Sequence, residues 1–302
     1  MNEWIGKPKR FGEVLDQTFR LCKNRFSELF LITLVLFGPI YLLEAIVSLL
    51  SGTSFFTVDT TGGFWKSRVT SFFTTPDSVN AGLVVLTIVL GFASMLLYPV
   101  AQGAYLVFLG RLKDNASVSP KIAIKQAFSR FWPIIGSYLL FGLIFTGILC
   151  VPTVVLVLLI SGISALTFTA FPVIGIILGV VLLLAAALFI MLLLTRLSLF
   201  LGAVVIDKTA PGLSRSWQLT RKQTWRTFGL FLVVILLTML VQFAVEGSLI
   251  LLLGNSVLYS MIIGLVGLIL DMVMFVAYSV IYFDLKARYD ADDLKEMIAN
   301  YD

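Results

Sequence analysis

Five residues inside long apolar runs carry polar or charged groups that could do chemistry: Glu44, Arg196, Gln242, Glu246 and Asp271. Ionisable side chains within membrane spans are costly, and they are usually functional or paired. Arg196 lies eleven residues before Asp207, and Asp271 lies thirteen before Asp284. Both spans run from outside to inside, so at about 1.5 Å per residue both charges lie roughly 16–20 Å from the cytoplasmic end. A paired Arg–Asp strut would keep both charged, and a gate or substrate site is the alternative. Glu44 and Glu246 lie six and eight residues before the ends of their runs, at Leu50 and Gly254. They could snorkel outward or, with Gln242 one turn from Glu246, line an outward-facing cavity suited to a cation or a proton relay.

The chain of 302 residues contains no histidine. That removes Ser-His-Asp and Cys-His catalysis, imidazole metal ligation and the histidine general base together. Nothing resembles a Walker loop, a metal cluster, a nucleophile elbow or a nucleic-acid module. The expectation is a non-enzyme with no catalytic residues, cofactor, metal or nucleic-acid partner. Cys22 and Cys150 fall on opposite sides of the topology below and read as packing residues.

The elements that position these residues follow from composition. With 59% hydrophobic and 13% charged residues, no soluble core could hide the apolar runs. Six spans are expected, at 29–50, 81–109, 132–161, 171–206, 227–254 and 257–283. The run 171–206 exceeds one crossing and falls short of two, but basic segments on both sides of the 132–206 region demand an even number of crossings. Residues 1–27 lack the apolar core and small-residue site of a cleavable signal peptide.

The net charge of +5 is concentrated in four segments: the amino-terminal one, those at 111–130 and 208–226, and the tail. The long opposite loop, 51–80, carries only Lys66 and Arg68. The positive-inside rule therefore places both termini in the cytoplasm of a cell-membrane protein. Aromatic residues of the 51–80 loop suggest a segment dipping onto the outer interface, or an ordinary loop with interfacial anchors. Residues from 284 onward read as a short polar helix.

Three basic stretches show helical spacing of apolar residues, at 11–26, 120–132 and 211–226. Each could lie flat at the cytoplasmic interface, with rings in the acyl boundary and cations among phosphates, or be an ordinary surface helix. The residues carrying the interfacial reading are Phe19 and Arg20, Lys125 and Phe128, and Arg215, Trp217, Arg221, Lys222 and Trp225. Phe19, Phe128 and Trp217 read as equivalent positions, and Phe-Leu-Gly recurs at 108–110 and 200–202. The reading is an all-α membrane domain of three parallel tandem units (amphipathic helix, span, span) at about 9–110, 118–207 and 211–285, with a tail at 286–302. Pro39, Pro99 and Pro152 could unwind spans at a transport site or merely kink them. Anionic lipid headgroups are the expected partner of the basic belt, with a protein partner on the same face as a second possibility.

Three segments together carry a family resemblance: FGEVLDQTFRLCKNRFSELF, GLSRSWQLTRKQTWRTFGLF and YFDLKARYDADDL. They resemble the family of bacterial and archaeal membrane proteins named for the membrane domain attached to some glycerophosphodiester phosphodiesterases. The matching elements are Arg215-Ser216-Trp217-x-Leu219-Thr220-Arg221 and Tyr282-Phe283-Asp284-Leu285-x-x-Arg288. The resemblance implies the membrane part alone, because the phosphodiesterase resembled by association uses a pair of histidines in a separate soluble barrel. Two functions are left open. One is a non-enzymatic protein whose basic belt binds lipid headgroups or a partner, in support of envelope lipid or polymer metabolism. The other is a small transporter, exporter or toxin-immunity protein using the intramembrane acids.

Overall fold

The computed structural model describes residues 9–56, 81–114, 116, 119–167, 172–254 and 256–299; for 151, 155–167, 172–176, 178, 251 and 292–299 it describes the backbone alone. Most of the 51–80 loop, with all its aromatics beyond Phe56, lies outside the described residues. The described residues form ten α-helices and no strand. Three are short and basic: α1 (Phe11–Asn24), α4 (Pro120–Ser129) and α8 (Leu213–Thr220). Each precedes a long apolar helix: α2 (Phe26–Leu50), α5 (Phe131–Thr167) and α9 (Thr224–Leu253). The remaining elements are α3 (Ala81–Lys113), α6 (Pro172–Leu197), the six-residue α7 (Phe200–Val205) and α10 (Val257–Ala299). Six helices, α2, α3, α5, α9, α10 and the α6–α7 run, are long and apolar enough to cross a membrane. The chain has the fold of an all-α multi-pass membrane protein.

A recurring corner joins each short helix to its long one. The backbone takes φ/ψ of −124°/30° at Arg25, −112°/23° at Arg130 and −130°/23° at Gln223. At Arg25 and Arg130 this is the one residue between the two helices, and Gln223 closes a three-residue turn, so the chain changes direction over at most three residues. Aligning the corners sets Phe19 level with Ile124 and Trp217, so Phe128 falls one turn later than the equivalent position expected for it.

Each long helix packs on the next in chain order, and α10 closes the sequence by packing on α2 as well as α3. The protein interior is concentrated at the end that carries the corners, called here the basic end. Tyr105, Phe108, Leu199, Leu201, Phe275 and Tyr282 are fully or almost fully buried there. Tyr105 donates a hydrogen bond from its hydroxyl to the Leu29 carbonyl (2.7 Å) and packs against Phe275. Away from this end the helices offer their apolar side chains to the surroundings. Only 6% of the apolar window of α6–α7 is covered by protein, against 39% for α2. Side chains such as Leu143, Leu184, Phe189, Leu240 and Phe243 are exposed, as lipid-facing positions require.

Two features depart from the expected layout. The fourth run breaks at Ser198–Leu199 into α6 and α7, which explains why it was too long for one crossing. The sixth span continues through its expected end: α10 is one helix of 43 residues, about 65 Å, roughly twice the hydrocarbon thickness. Its last turns carry the charged residues beyond Phe283 as part of the same rod instead of a separate helix. Pro39, Pro99 and Pro152 lie within continuous helices. At the opposite end, Ser54 and Phe55 direct their carbonyls to the Val257 and Leu258 N–H groups (3.1 and 3.3 Å) and so satisfy the first turn of α10.

Candidate functional site

The basic end holds the polar machinery, built on three buried or half-buried groups. The first is Asp284 on α10, whose side chain is 3% exposed. It accepts hydrogen bonds from Arg226 of α9 (2.7 Å), Arg288 one turn along α10 (3.1 Å) and the Lys9 backbone N–H (2.8 Å). Arg226 and Arg288 also donate to the Lys9 carbonyl. One carboxylate and two guanidiniums thereby tie the start of the chain, α9 and α10 together. Mutual satisfaction of this kind is what makes a buried charge tolerable.

The second group is Asp207, just after α7. It accepts from Arg215 of α8 (3.2 Å), the Tyr282 hydroxyl (3.0 Å) and Lys286, both of the latter on α10. Arg215 also stacks over Tyr289 and approaches Asp290 at 3.9 Å. Burial opposes ionisation of Asp207, but Lys286, Tyr282 and Arg215 outweigh it and hold its carboxyl below the usual 3.8. A carboxyl with a lowered folded-state pKa stabilises the fold above its unfolded value, and that contribution fades as pH falls through the folded value. Thermal midpoints in detergent should therefore drop as pH falls below 3.8, and Asp207→Asn should flatten this acid limb. An acid limb of equal depth in the variant would show that Asp207 does not carry the linkage.

The third group is the break in the fourth span. Where the helical ladder is interrupted, the Leu199 N–H donates to the Ser216 hydroxyl oxygen (3.1 Å). The Arg196 carbonyl accepts from Ser216 (2.8 Å) and from Thr220 (3.2 Å). The Tyr278 hydroxyl donates to the Ser198 carbonyl (3.0 Å) and accepts from the Gly202 N–H (3.3 Å). Hydroxyls from α8 and α10 thus replace the hydrogen bonds that the break removes. Close packing completes the arrangement. Gly212, at φ +73°, opens α8 in the left-handed region, where a side chain would meet the Phe200 carbonyl.

The break also corrects the expected Arg196–Asp271 strut. Arg196 is at the last turn of α6, beside α8. Its guanidinium lies 4.8 Å from the centre of the Trp217 ring and donates from Nε to Thr224 (3.1 Å). Asp271 is on a different stretch of the bundle, half-buried where α10 packs against α2 and α3, within electrostatic range of Tyr41 and Tyr98. Equal depth requires unbroken helices on both sides; α6 ends at Leu197 whereas α10 runs on past Asp284, so the two residues sit at different levels. Gln242 and Glu246 do meet, with the amide donating to the carboxylate at 2.6 Å. Glu44 is half-buried on α2, and α10 packs on both α2 and the α9 helix of Glu246.

The residues expected to face lipid divide into two sets. Arg215 and Trp217 face the protein, one on Asp207 and the other under Arg196. Arg20, Lys125, Arg221 and Lys222 are exposed, together with Phe19, Phe128 and Trp225, the last at 64%. Trp132, at 80% exposure the most open large hydrophobic residue described, stands beside them; in the sequence it is indistinguishable from the first residue of a span. Cys22 and Cys150 are both free thiols; Cys22 is buried in α1, and burial pushes it up to about 12.

A half-open cavity of about 460 Å³ lies between α6 and the α8–α9 corner. Its walls are Phe189, Leu192, Leu193 and Arg196 on α6, and residues 221–226 at the corner. Four of the ten lining residues are cationic and none is acidic. Among the described residues, no group of three or more Cys, Asp or Glu side chains could hold a metal ion. No protein-family model, curated protein or solved structure matches the chain.

Proposed function

We propose that this chain is a non-enzymatic membrane protein whose basic end faces the cytoplasm of the cell membrane and binds anionic lipid headgroups. A protein partner on the same face, in support of envelope lipid or polymer metabolism, is the companion role. The observation that carries the reading is the division of the basic residues. Arg215, Arg226, Lys286 and Arg288 are consumed by Asp207 and Asp284. Lys125 and Arg221 instead stand exposed near open aromatic rings, and Arg20 and Lys222 are exposed on the same surfaces, the combination that suits a headgroup layer. The three matching corners support a reading as three tandem units. Arg215, Ser216, Thr220, Tyr282, Asp284 and Arg288, among the motif residues that carry the likeness to the phosphodiesterase-associated membrane family, form the clasp between α7, α8, α9 and α10, in keeping with membership of that family.

The test is lipid co-purification. Arg20, Lys125, Arg221 and Lys222 replaced together by Gln should lower the enrichment of phosphatidylglycerol over phosphatidylcholine around the protein in nanodiscs, each basic residue near the surface contributing about 1 kcal/mol. Unchanged enrichment would leave these residues only a role in setting topology. A second reading, a small transporter, exporter or toxin-immunity protein, is favoured by one observation. Asp271 lies within the bilayer-length part of α10 with tyrosines about it and no ion-pair partner among the described residues. Loss of cellular function in Asp271→Asn at unchanged stability would select that reading.

A further inference from the structure

The cavity between α6 and the α8–α9 corner has two kinds of wall. On one side Phe189, Leu192 and Leu193 continue the apolar surface of a membrane-crossing helix, and Phe189 is 63% exposed. On the other are Arg196, Arg221, Lys222 and Arg226. Arg226 is neutralised by Asp284, but Arg196 and Arg221 have no carboxylate partner among the described residues. Arg196 is instead held in place by the Trp217 ring behind it and by Thr224. A guanidinium fixed in this way keeps donors available for an oxyanion and loses little freedom on binding one. The same mouth receives the start of α9, whose N-cap residue Gln223 supplies no side-chain cap. Its first N–H groups and the positive end of a 30-residue helix add to the field. Like charges gathered in one concavity repel until an anion enters.

We propose that this cavity holds one anionic membrane phospholipid. Its phosphodiester sits between Arg196 and Arg221 at the start of α9, and an acyl chain runs along α6 past Leu193, Leu192 and Phe189. The volume, about 460 Å³, is that of a small-molecule site and accommodates a phosphoglycerol headgroup with the first part of a chain. A free phosphate would use the cationic wall and leave the apolar wall without a role, so the lipid accounts for both. The assignment rests on the lipid-binding reading above, and names a single tight site within it.

The full-length protein in detergent is titrated with dioleoyl phosphatidylglycerol, and bound lipids are counted by native mass spectrometry as collision energy is raised. One lipid should outlast the rest. Arg221→Gln, at an exposed position that should not disturb folding, should weaken its retention about tenfold, the scale of one lost charge-assisted hydrogen bond. Lys125→Gln, in the belt but remote from the cavity, should leave that lipid in place. Leu192→Glu, which puts an acid on the apolar wall, should expel it. Millimolar inorganic phosphate should not displace it, and phosphatidylcholine should not substitute for it. If the tight lipid is indifferent to both Arg221→Gln and Leu192→Glu while phosphatidylglycerol is still enriched in nanodiscs, the cavity assignment falls and the belt reading stands. If phosphatidylglycerol is neither enriched nor retained, both fall together. Displacement by inorganic phosphate alone would make this a soluble-anion site and overturn the lipid.

Discussion

Asp284→Asn should lower the stability of the protein by about 3–5 kcal/mol, the usual result of removing one member of a buried charge cluster. The amide keeps the shape and one acceptor, but Arg226 and Arg288 lose their shared counter-charge, and the Lys9 N–H must compete for what remains. The side chains of Arg226 and Arg288 are 18% and 27% exposed, so water relieves part of the loss and the lower end of the range is expected. Thermal unfolding in detergent should shift by several degrees, on the order of 2 °C or more for each kcal/mol. Limited proteolysis should also cut more readily near Lys9 and Arg10, since that segment is held by this carboxylate and by the two arginines that it orients. Arg288→Gln should cost much less, because Arg226 still neutralises the acid at 2.7 Å. A melting curve for Asp284→Asn indistinguishable from the unmodified protein would show that the three segments are held together by apolar packing alone.

The contrast between Asp284 and Asp271 shows what the sequence could and could not reveal. The six spans were legible because long apolar runs have one solution in a bilayer, and the three basic helices because their apolar residues repeat at helical spacing. Periodicity identifies a face, but it does not say whether protein or lipid covers it. That is why Arg215 and Trp217 were grouped with Arg221 and Trp225, although the former pair is turned onto Asp207 and Arg196. The partners are distant in sequence and carry no local signal. The Arg196–Asp271 pairing failed for a related reason. A depth count assumes a continuous helix, and the break at Ser198–Leu199 is stabilised by Ser216, Thr220 and Tyr278 from other elements. One clue was present: a run of 36 residues cannot be a single straight crossing.

The role of the motif residues changes accordingly. Arg215 and Trp217 read in isolation as headgroup-facing residues, and Ser216, Thr220, Tyr282 and Asp284 as parts of the resembling motifs alone. In the structure Ser216 and Thr220 satisfy groups at the break, Arg215 and Tyr282 bind Asp207, Asp284 ties a chain junction, and the Trp217 ring lies against Arg196. Their neighbours Arg221, Lys222 and Trp225 stand exposed at the same corner. The inner face of this short helix closes a gap in the fourth span, and exposed cations follow its end.

Gly202→Ala should be the most disruptive single-methyl addition at any described glycine within a helix. A Cβ at this position would stand 2.2 Å from Cδ2 and 2.4 Å from Cε2 of Tyr282, well inside contact distance. The ring cannot simply swing away. Tyr282 is fully buried, packs edge-on to Phe283, and donates its hydroxyl to Asp207 at 3.0 Å. Overpacking alone costs about 1–3 kcal/mol. Moving the ring would also break a hydrogen bond to a charged acceptor, worth about 1.5–3 kcal/mol. A total of about 3–5 kcal/mol follows, and the loss should be largest above pH 3.8, where Asp207 is ionised. Gly147→Ala provides the reference, since nothing lies within 4 Å of a methyl there and the helix gains propensity. Tyr282→Leu removes the obstructing ring; combined with Gly202→Ala it should lose less than the sum of the two single changes, because the methyl then enters space the ring has vacated. Additive losses, or a Gly202→Ala protein no less stable than Gly147→Ala, would mean that α7 and α10 are not in the close register on which the Asp207 cluster depends.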